Sequence, residues 1–368
     1  MANEWQNITD YDMHAGNRLV TILIPTFRRP QKLKRAIESV RKQLYSDILI
    51  RVFDNASGDD TAKVVFELTS LDPRVQYHCQ EKNVGVIANY NYALKSVNTK
   101  YFAFLADDDI LFPECIGEAV HGLEANEDVA FWGGGTVNID ESSGRILRGP
   151  SGCWKEGGIY FPHEACMRIC SGNQLEFQGL VFRTEFVSKH KMCFDPEVML
   201  PDIDFELQLA KYYPVGAAPS ITAAMYSDVD SISSGVQSLS TFWPSMSIIE
   251  RKFIEDSPLP EEVNKDCLLS WQKHTLRTIW YIGLKCAFSS RVAESYEASD
   301  ILKGYFGNSF ASIFARWSIL ASTRGRFLAR LVWVIHIVVR IAIKPSILID
   351  KINAYKWKAI ISQRSSYD

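Results

Sequence analysis

Between residues 19 and 109, short apolar runs alternate with amphipathic stretches, and polar residues gather where the apolar runs stop. Residues 19–25 are apolar and β-branched, as a buried strand would be. After Pro30, the positions Leu33, Ile37, Val40 and Leu44 recur at helical spacing. Residues 48–53 read as a second strand ending at Asp54, and Asp59, Asp60 and Thr61 offer caps for a helix carrying Val64, Val65 and Leu68. A third strand is expected at 75–79, a helix at 85–97, and a fourth strand at 101–106 that stops at Asp107, Asp108 and Asp109. This β-α-β-α order predicts an α/β fold, a mostly parallel central sheet with helices on both faces. Ligands of such sheets bind at the carboxyl ends of the strands. Thr26, Asp54, Asn83 and the three aspartates are expected at that edge.

From about residue 128 the alternation changes. Residues 129–132 read as a strand, Gly133, Gly134 and Gly135 follow, and a polar, hairpin-like stretch runs to Pro150. Further strands are expected at 175–182 and 215–225, with a helix over 202–213. A Ser-rich stretch at 231–240 marks a boundary, and beyond it the pattern is largely helical. Three parts are therefore expected: a polar segment 1–18, an α/β domain 19–230 and a helical C-terminal region 231–368.

The net charge is only -3, which excludes a nucleic-acid binder by bulk charge, but it is unevenly spread. Residues 301–368 hold 11 Lys/Arg against 2 Asp/Glu, or +9, leaving -12 on the first 300 residues. A basic tail on an acidic body points to an anionic partner for the tail. Plotted as a helix over 326–344, Arg326, Arg330, Arg340 and Lys344 form a narrow basic stripe beside an apolar arc that includes Leu328, Leu331, Val334 and Val338. Arg330, His336 and Arg340 interrupt the run, so it is too short to span a bilayer. A helix lying on an anionic membrane surface fits the pattern. Packing against the rest of the chain, or a second copy of it, is the competing reading. The first 16 residues are polar, eight cysteines lie scattered, and Cys166 and Cys170 have no second pair at metal spacing. The expectation is a cytoplasmic protein with reduced thiols, no secretory signal and no zinc site, peripheral on the inner face of the cell membrane.

Asp107, Asp108 and Asp109 carry the strongest chemical signal. Three carboxylates at a strand end repel one another unless a cation neutralises them. Oxygen ligands suit Mn²⁺ or Mg²⁺, which also bridge diphosphates. The bland alternative is a solvated acidic turn before a helix near Pro113. Asp54 has the chemistry to accept hydrogen bonds from a ribose hydroxyl or a base N–H, although Asn55, Ser57 and Gly58 would make a turn there without any ligand. No glycine-rich dinucleotide fingerprint and no P-loop occurs. Phosphates would thus be handled by a metal and by side chains. Trp132, Trp154, Tyr160, Phe161 and Phe177 are candidates either for stacking on sugar rings or for ordinary packing.

Six motifs in order resemble glycosyltransferase family 2, the inverting family with the GT-A fold. They are the strand 20–24 with Pro25, Thr26, Phe27, Arg28 and Arg29; the segment Asp54 to Thr61; Asn83-Val84-Gly85 with Asn89-Tyr90-Asn91; Phe104 to Asp109; Gly179 to Arg183; and Leu200 to Phe205. The resemblance covers about 19–230 and extends to bacterial enzymes that build surface polysaccharide. It implies a sugar transfer from a nucleotide-sugar donor, of UDP type, to a hydroxyl of a glycan or lipid-linked glycan. It implies that Pro25, Thr26, Phe27, Arg29, Asp54, Asn83 and Asp107 bind the donor. Asp108 and Asp109 would hold Mn²⁺ or Mg²⁺, and Asp202 would be the catalytic base, with Asp204 as the next candidate. Two positions depart from the family pattern: Ala106 stands where Asp is frequent, and Pro201 where Glu is frequent. After the last strand the family often places His or Arg, and here Tyr226 and Ser227 follow. A nucleotidyltransferase, also built on a parallel sheet with paired carboxylates, is the rival enzyme, but the stretch 28–32 lacks its glycines. A carbohydrate-binding or scaffold protein without turnover is the non-enzymatic rival.

Overall fold

The computed structural model describes residues 19–323, except 153, 155, 228–238, 256 and 290. The N-terminal segment 1–18 and the basic stretch 326–344 lie outside the described residues.

The chain opens with β1 (Val20–Thr26), α1 (Pro30–Arg41), β2 (Ile48–Asp54), α2 (Thr61–Leu71), β3 (Val75–Cys79), α3 (Val86–Lys95) and β4 (Tyr101–Phe104). The four strands are parallel in the order β3-β2-β1-β4, with Val20 opposite Ile48 on one side and Tyr101 on the other. Their side chains alternate between two faces, as the period of a strand requires. Val20, Ile22, Ile24, Ile48, Ile50 and Val52 point into one fully buried core. Leu33, Ile37 and Val40 of α1 and Val64, Val65 and Leu68 of α2 complete it. The other face carries aromatic rings: Phe104 stacks on Tyr90 and Phe177, and Phe102 on Phe182.

Short β5 (Ile110–Leu111) and α4 (Cys115–Glu124) follow, and then β6 (Phe131–Asp140), β7 (Ile146–Ser151), β8 (Gly158–Tyr160), α5 (Pro162–Cys170), β9 (Val181–Arg183), α6 (Thr184–Lys189), α7 (Pro201–Ala210) and β10 (Val215–Ser227). These strands extend the sheet with antiparallel pairs, in the order β4-β9-β6-β10-β5. Two details differ from the sequence reading. The strand expected at 175–182 is only three residues long, because Gly179 takes φ +84° and breaks the extended run. The three glycines after Trp132 do not end a strand but lie inside β6. A Cβ on Gly133 would come within 2.2 Å of Leu180 Cδ2, and one on Gly134 within 2.5 Å of Thr222 Cγ2. Glycine is what lets the neighbouring strands' side chains cross β6.

Trp132 is held between two more glycines. A Cβ on Gly216 would lie 1.8 Å from the indole, and one on Gly122 2.4 Å from it. Neither ring nor backbone can yield that distance without repacking. Gly216→Ala is expected to cost about 1–3 kcal/mol, read as a Tm lower by several degrees. An unchanged Tm would show that the indole moves freely.

Most of the sheet belongs to one compact unit, formed by Met1–Ala165, Leu175–Pro196 and Gln208–Tyr226. The second unit comprises Cys166–Gln174, Glu197–Leu207 and Ser227–Asp368. Its helices are α8 (Leu239–Glu255), α9 (Glu261–Phe288), α10 (Val292–Phe306) and α11 (Phe310–Thr323). Ile279 and Leu284 of α9, Ala298 and Leu302 of α10, and Ala315 and Ile319 of α11 form its core with Leu239.

Candidate active site

The in-register pairing of β1, β2 and β4 brings three strand ends to one edge. Thr26 closes β1, and its Oγ1 donates to Asp107 Oδ2 at 2.7 Å. Arg29 is the last residue before α1, and its Nη1 donates to Asp107 Oδ1 at 3.2 Å and to Asp108 Oδ2 at 2.8 Å. Thr26, Arg29, Asp107 and Asp108 thus form one hydrogen-bonded group. Asp107 is 7% exposed. Burial pushes its carboxyl above the usual carboxylate range, and the Asp108 charge adds to this, against the Thr26 hydroxyl and the Arg29 guanidinium. Asp109 is raised much further by its burial and by the Asp108 charge, and its Oδ1 accepts the Tyr226 backbone N–H at 3.0 Å.

A second group forms where β2 ends. Asp54 is 2% exposed, and its Oδ1 accepts the Ser57 backbone N–H at 3.0 Å. Its Oδ2 accepts the Tyr77 hydroxyl at 2.6 Å, so the carboxylate is held by its own turn on one side and by β3 on the other. Burial, with that bond to Asp54, keeps the Tyr77 phenol protonated far above its usual range. Asn55 donates to Asn83 Oδ1 at 3.2 Å and accepts the Val84 N–H at 2.8 Å, which ties the β2 end to the loop before α3. Asn83 Oδ1 also accepts the Gly85 N–H at 2.9 Å, where Gly85 takes φ +87°. On the rim, Phe27 is 36% exposed with the Arg28 guanidinium 4.9 Å from its ring centroid. Arg28 takes φ 56° and donates its backbone N–H to Ser57 Oγ at 2.8 Å, so the turn after Pro25 is fastened to the turn after Asp54. Positive φ in a non-glycine residue is uncommon and concentrates at functional turns.

Two residues of this region, Arg35 and Glu141, escaped the sequence reading. The Arg35 guanidinium pairs with Glu141 through both terminal nitrogens, donates to the Asp108 backbone carbonyl at 2.7 Å, and lies 3.8 Å from the Tyr226 ring centroid. Arg35 thereby connects α1, the acidic turn, the end of β6 and the end of β10. Helical spacing places it on α1, but nothing local in the sequence points to partners 73 and 106 residues away. Arg35→Met removes a charge-assisted bond to the carbonyl of Asp108, worth about 1.5–3 kcal/mol. It is expected to weaken donor binding about tenfold with the fold intact; calorimetric titration with unaltered affinity would refute a positioning role.

Of the aromatic candidates, Trp154 and Phe177 are buried in the packing and Phe161 is 58% exposed. Asp202 and Asp204 both lie in the first turn of α7, in the second unit. Asp204 is buried and its Oδ2 pairs with Lys252 Nζ at 3.0 Å; Asp202 is half-buried.

The donor set can be tested for a divalent cation. Two carboxylates, Asp107 and Asp108, already converge on one cationic nitrogen of Arg29, the arrangement a metal ion would exploit. Among the described residues no three His, Cys, Asp or Glu side chains gather into a complete metal cage. The residues therefore fit an ion bound by one or two carboxylates that takes its remaining ligands from a phosphate-bearing substrate, as Mg²⁺ and Mn²⁺ commonly do.

Residues 21–175 match the profile of Glycosyl transferase family 2. An uncharacterized glycosyltransferase of Haemophilus influenzae is 26% identical over 183 residues, 49% of this chain and 56% of that protein. A GalNAc(5)-diNAcBac-PP-undecaprenol beta-1,3-glucosyltransferase of Campylobacter jejuni is 34% identical over 112 residues, 30% of this chain and 36% of that protein. The chain thus matches about half or less of the length of these curated relatives. Among solved structures, S. aureus TarS 1-349 in complex with UDP-GlcNAc superposes with a TM-score of 0.62 at 17% identity, over 85% of this chain and 90% of that one. A likeness at that identity establishes the fold: a GT-A α/β core with a helical region after it.

Proposed function

We propose that the chain, whose residues 21–175 match the family 2 profile, transfers a sugar, with inversion, from a nucleotide-sugar donor of UDP type to a hydroxyl of a glycan or lipid-linked glycan. The observation that carries the reading is the convergence of Thr26, Arg29, Asp107 and Asp108 at the carboxyl edge of the parallel strands. The Campylobacter relative's undecaprenol-linked glycan supports a lipid-linked acceptor, and polysaccharide synthesis of the O-antigen or capsule kind is the setting proposed. The UDP-GlcNAc bound by TarS supports a UDP donor.

The proposed division of labour follows the geometry. Phe27 and Pro25 flank the nucleotide base, and the Asp54–Asn55–Asn83 network offers acceptors to base and ribose. Asp107, held by Thr26, accepts a ribose hydroxyl. Asp108 would be the principal ligand of a divalent cation, with Asp109, buried and bonded to the Tyr226 N–H, as the second carboxylate of the same turn once freed from that bond. A divalent cation bound there would neutralise the charge that grows on the leaving diphosphate. Arg29, released from the two carboxylates, then turns its charge to the diphosphate. Asp202 takes the proton of the acceptor hydroxyl as that oxygen attacks the anomeric carbon from the face opposite the leaving nucleotide.

A thermal-shift panel of UDP-, GDP-, CDP- and dTDP-sugars, each with Mn²⁺ and with EDTA, tests the reading. Stabilisation of about 2.7 kcal/mol is expected at a hundredfold excess over Kd, confined to one nucleotide class and lost in EDTA. Absence of any shift would support the scaffold reading; a shift with nucleoside triphosphates alone would support a nucleotidyltransferase.

A further inference from the structure

The last described helix has its polarity reversed. On α11 the inward positions are small and hydroxylated: Ser312, Ser318 and Ser322 are buried, beside Ala315 and Ile319. Each serine is satisfied internally, Ser312 by the Leu302 carbonyl at 2.9 Å, Ser318 by the Ala315 carbonyl at 2.7 Å and Ser322 by the Ser318 carbonyl at 2.8 Å. Trp280 of α9 also donates its indole N–H to Ser318 Oγ at 2.7 Å. The small inner face permits close approach: a Cβ on Gly283 of α9 would stand 2.6 Å from Ile319. The outward face, by contrast, is wholly apolar at its most exposed positions. Ile313 is 49%, Phe314 40% and Trp317 62% exposed, one beside the next at helical spacing. The rings of Trp280, Phe314 and Trp317 run in series, at 5.9 and 6.5 Å between centroids. A helix in water presents the opposite pattern, with its larger apolar side chains inside. Scattered exposed apolar residues need no explanation, but a contiguous aromatic patch does.

Charge decides what covers it. Residues 301–349 contain seven Lys/Arg and no Asp or Glu. The α9 stretch 271–288, which bears Trp280, adds Lys273, Arg277 and Lys285, again without a carboxylate. Lys273 and Arg277 are exposed and lie within about 60° of Trp280 around α9, at 100° per residue. An apolar, aromatic face beside Lys273 and Arg277, and followed in the chain by a basic stretch without a carboxylate, complements an anionic, apolar surface. Among the described residues no helix is long and apolar enough to cross a membrane. We propose that the Ile313–Phe314–Trp317 face of α11 docks flat into the interface of an anionic lipid bilayer, with Lys273 and Arg277 at the headgroups. Aromatic side chains favour that depth, and basic residues add electrostatic attraction. The contact would bring the protein to an acceptor that is itself lipid-linked; that purpose rests on the function proposed above, whereas the physics of the face does not.

Full-length protein is to be sedimented with vesicles of phosphatidylcholine alone and of phosphatidylcholine with phosphatidylglycerol, alongside the double variant Phe314→Ser, Trp317→Ser. Wild type is expected to bind the anionic vesicles and not the neutral ones. The double variant is expected to bind them about tenfold or more weakly, as the loss of two inserted side chains implies, with an unchanged Tm because both residues are exposed. In brominated-lipid vesicles, Trp317→Phe should show less tryptophan quenching than wild type. Wild-type vesicle binding by the double variant overturns the proposal. So does a change from dimer to monomer with vesicle binding unaffected, which would make the face a subunit interface. The nucleotide-sugar thermal shift, run on the same samples, fails independently: its loss would refute the transferase reading, while vesicle binding reports only on α11.

Discussion

Asp202→Asn is expected to lower transfer turnover by about 10²–10⁴-fold, the usual contribution of a positioned general base. Donor affinity should stay within a factor of two or so, because Thr26, Arg29, Asp107 and Asp108, the groups proposed to bind the donor, form their own network within the first unit. The substitution keeps the shape of the side chain and removes its basicity. Asp202 lies in the first turn of α7, where an acidic residue can simply stabilise the helix. The two roles separate cleanly. A helix-stabilising residue leaves turnover intact and lowers stability by no more than about 0.3–1 kcal/mol, since Asn caps a helix as well as Asp and only the charge–dipole contribution is lost. A base gives the reverse, and its loss should also remove the acidic limb from the pH profile of kcat. Asp204→Asn serves as the internal comparison: Asp204 is buried and paired with Lys252, so its loss is expected to lower stability first.

Asp108→Asn is expected to abolish the Mn²⁺ dependence of donor binding and to lower turnover by about 10²-fold or more, since charge stabilisation by a bound metal supplies several kcal/mol. Asp108 is chosen over its neighbours for a reason visible in the structure. Asp107 is engaged by Thr26 and Asp109 by the Tyr226 N–H, so substituting either also disturbs the turn. Among the described residues, the Asp108 side chain is bonded by Arg29 alone. Titration of Mn²⁺ followed by electron paramagnetic resonance, in the presence of UDP, reads the site without relying on catalysis. Wild-type Mn²⁺ affinity in the variant would place the metal elsewhere.

The first half of the fold was legible because its signals are local. Apolar runs of strand length, helical spacing in α1 and α2 and the residues that end each strand are all written within a few positions. The edge position of Thr26, Asp54 and Asp107 followed from topology. What sequence could not show were the long-range pairs: that Thr26 holds Asp107, that one nitrogen of Arg29 bridges two carboxylates, and that Arg35 links Asp108 to Glu141 and Tyr226. Each joins residues more than 70 positions apart, beyond the reach of any periodicity. The β6 glycines misled for a related reason. In isolation they signal a turn, and only the positions of Leu180 and Thr222 reveal that they make room for neighbouring strands. In the helical unit the serines of α11 point inward, a placement that depends on the helices packed against it and on no local signal.

The central claim is that the Asp107–Asp108 edge supports sugar transfer from a nucleotide donor. It is tested most directly by the release of nucleoside diphosphate from a panel of nucleotide-sugars, with Mn²⁺ and with EDTA, using wild type and Asp108→Asn in parallel. The expected result is slow, metal-dependent release from one donor class, accelerated by a lipid-linked glycan acceptor and absent in the variant. Release that is indifferent to both EDTA and Asp108→Asn, or none with any donor and acceptor, would contradict the account.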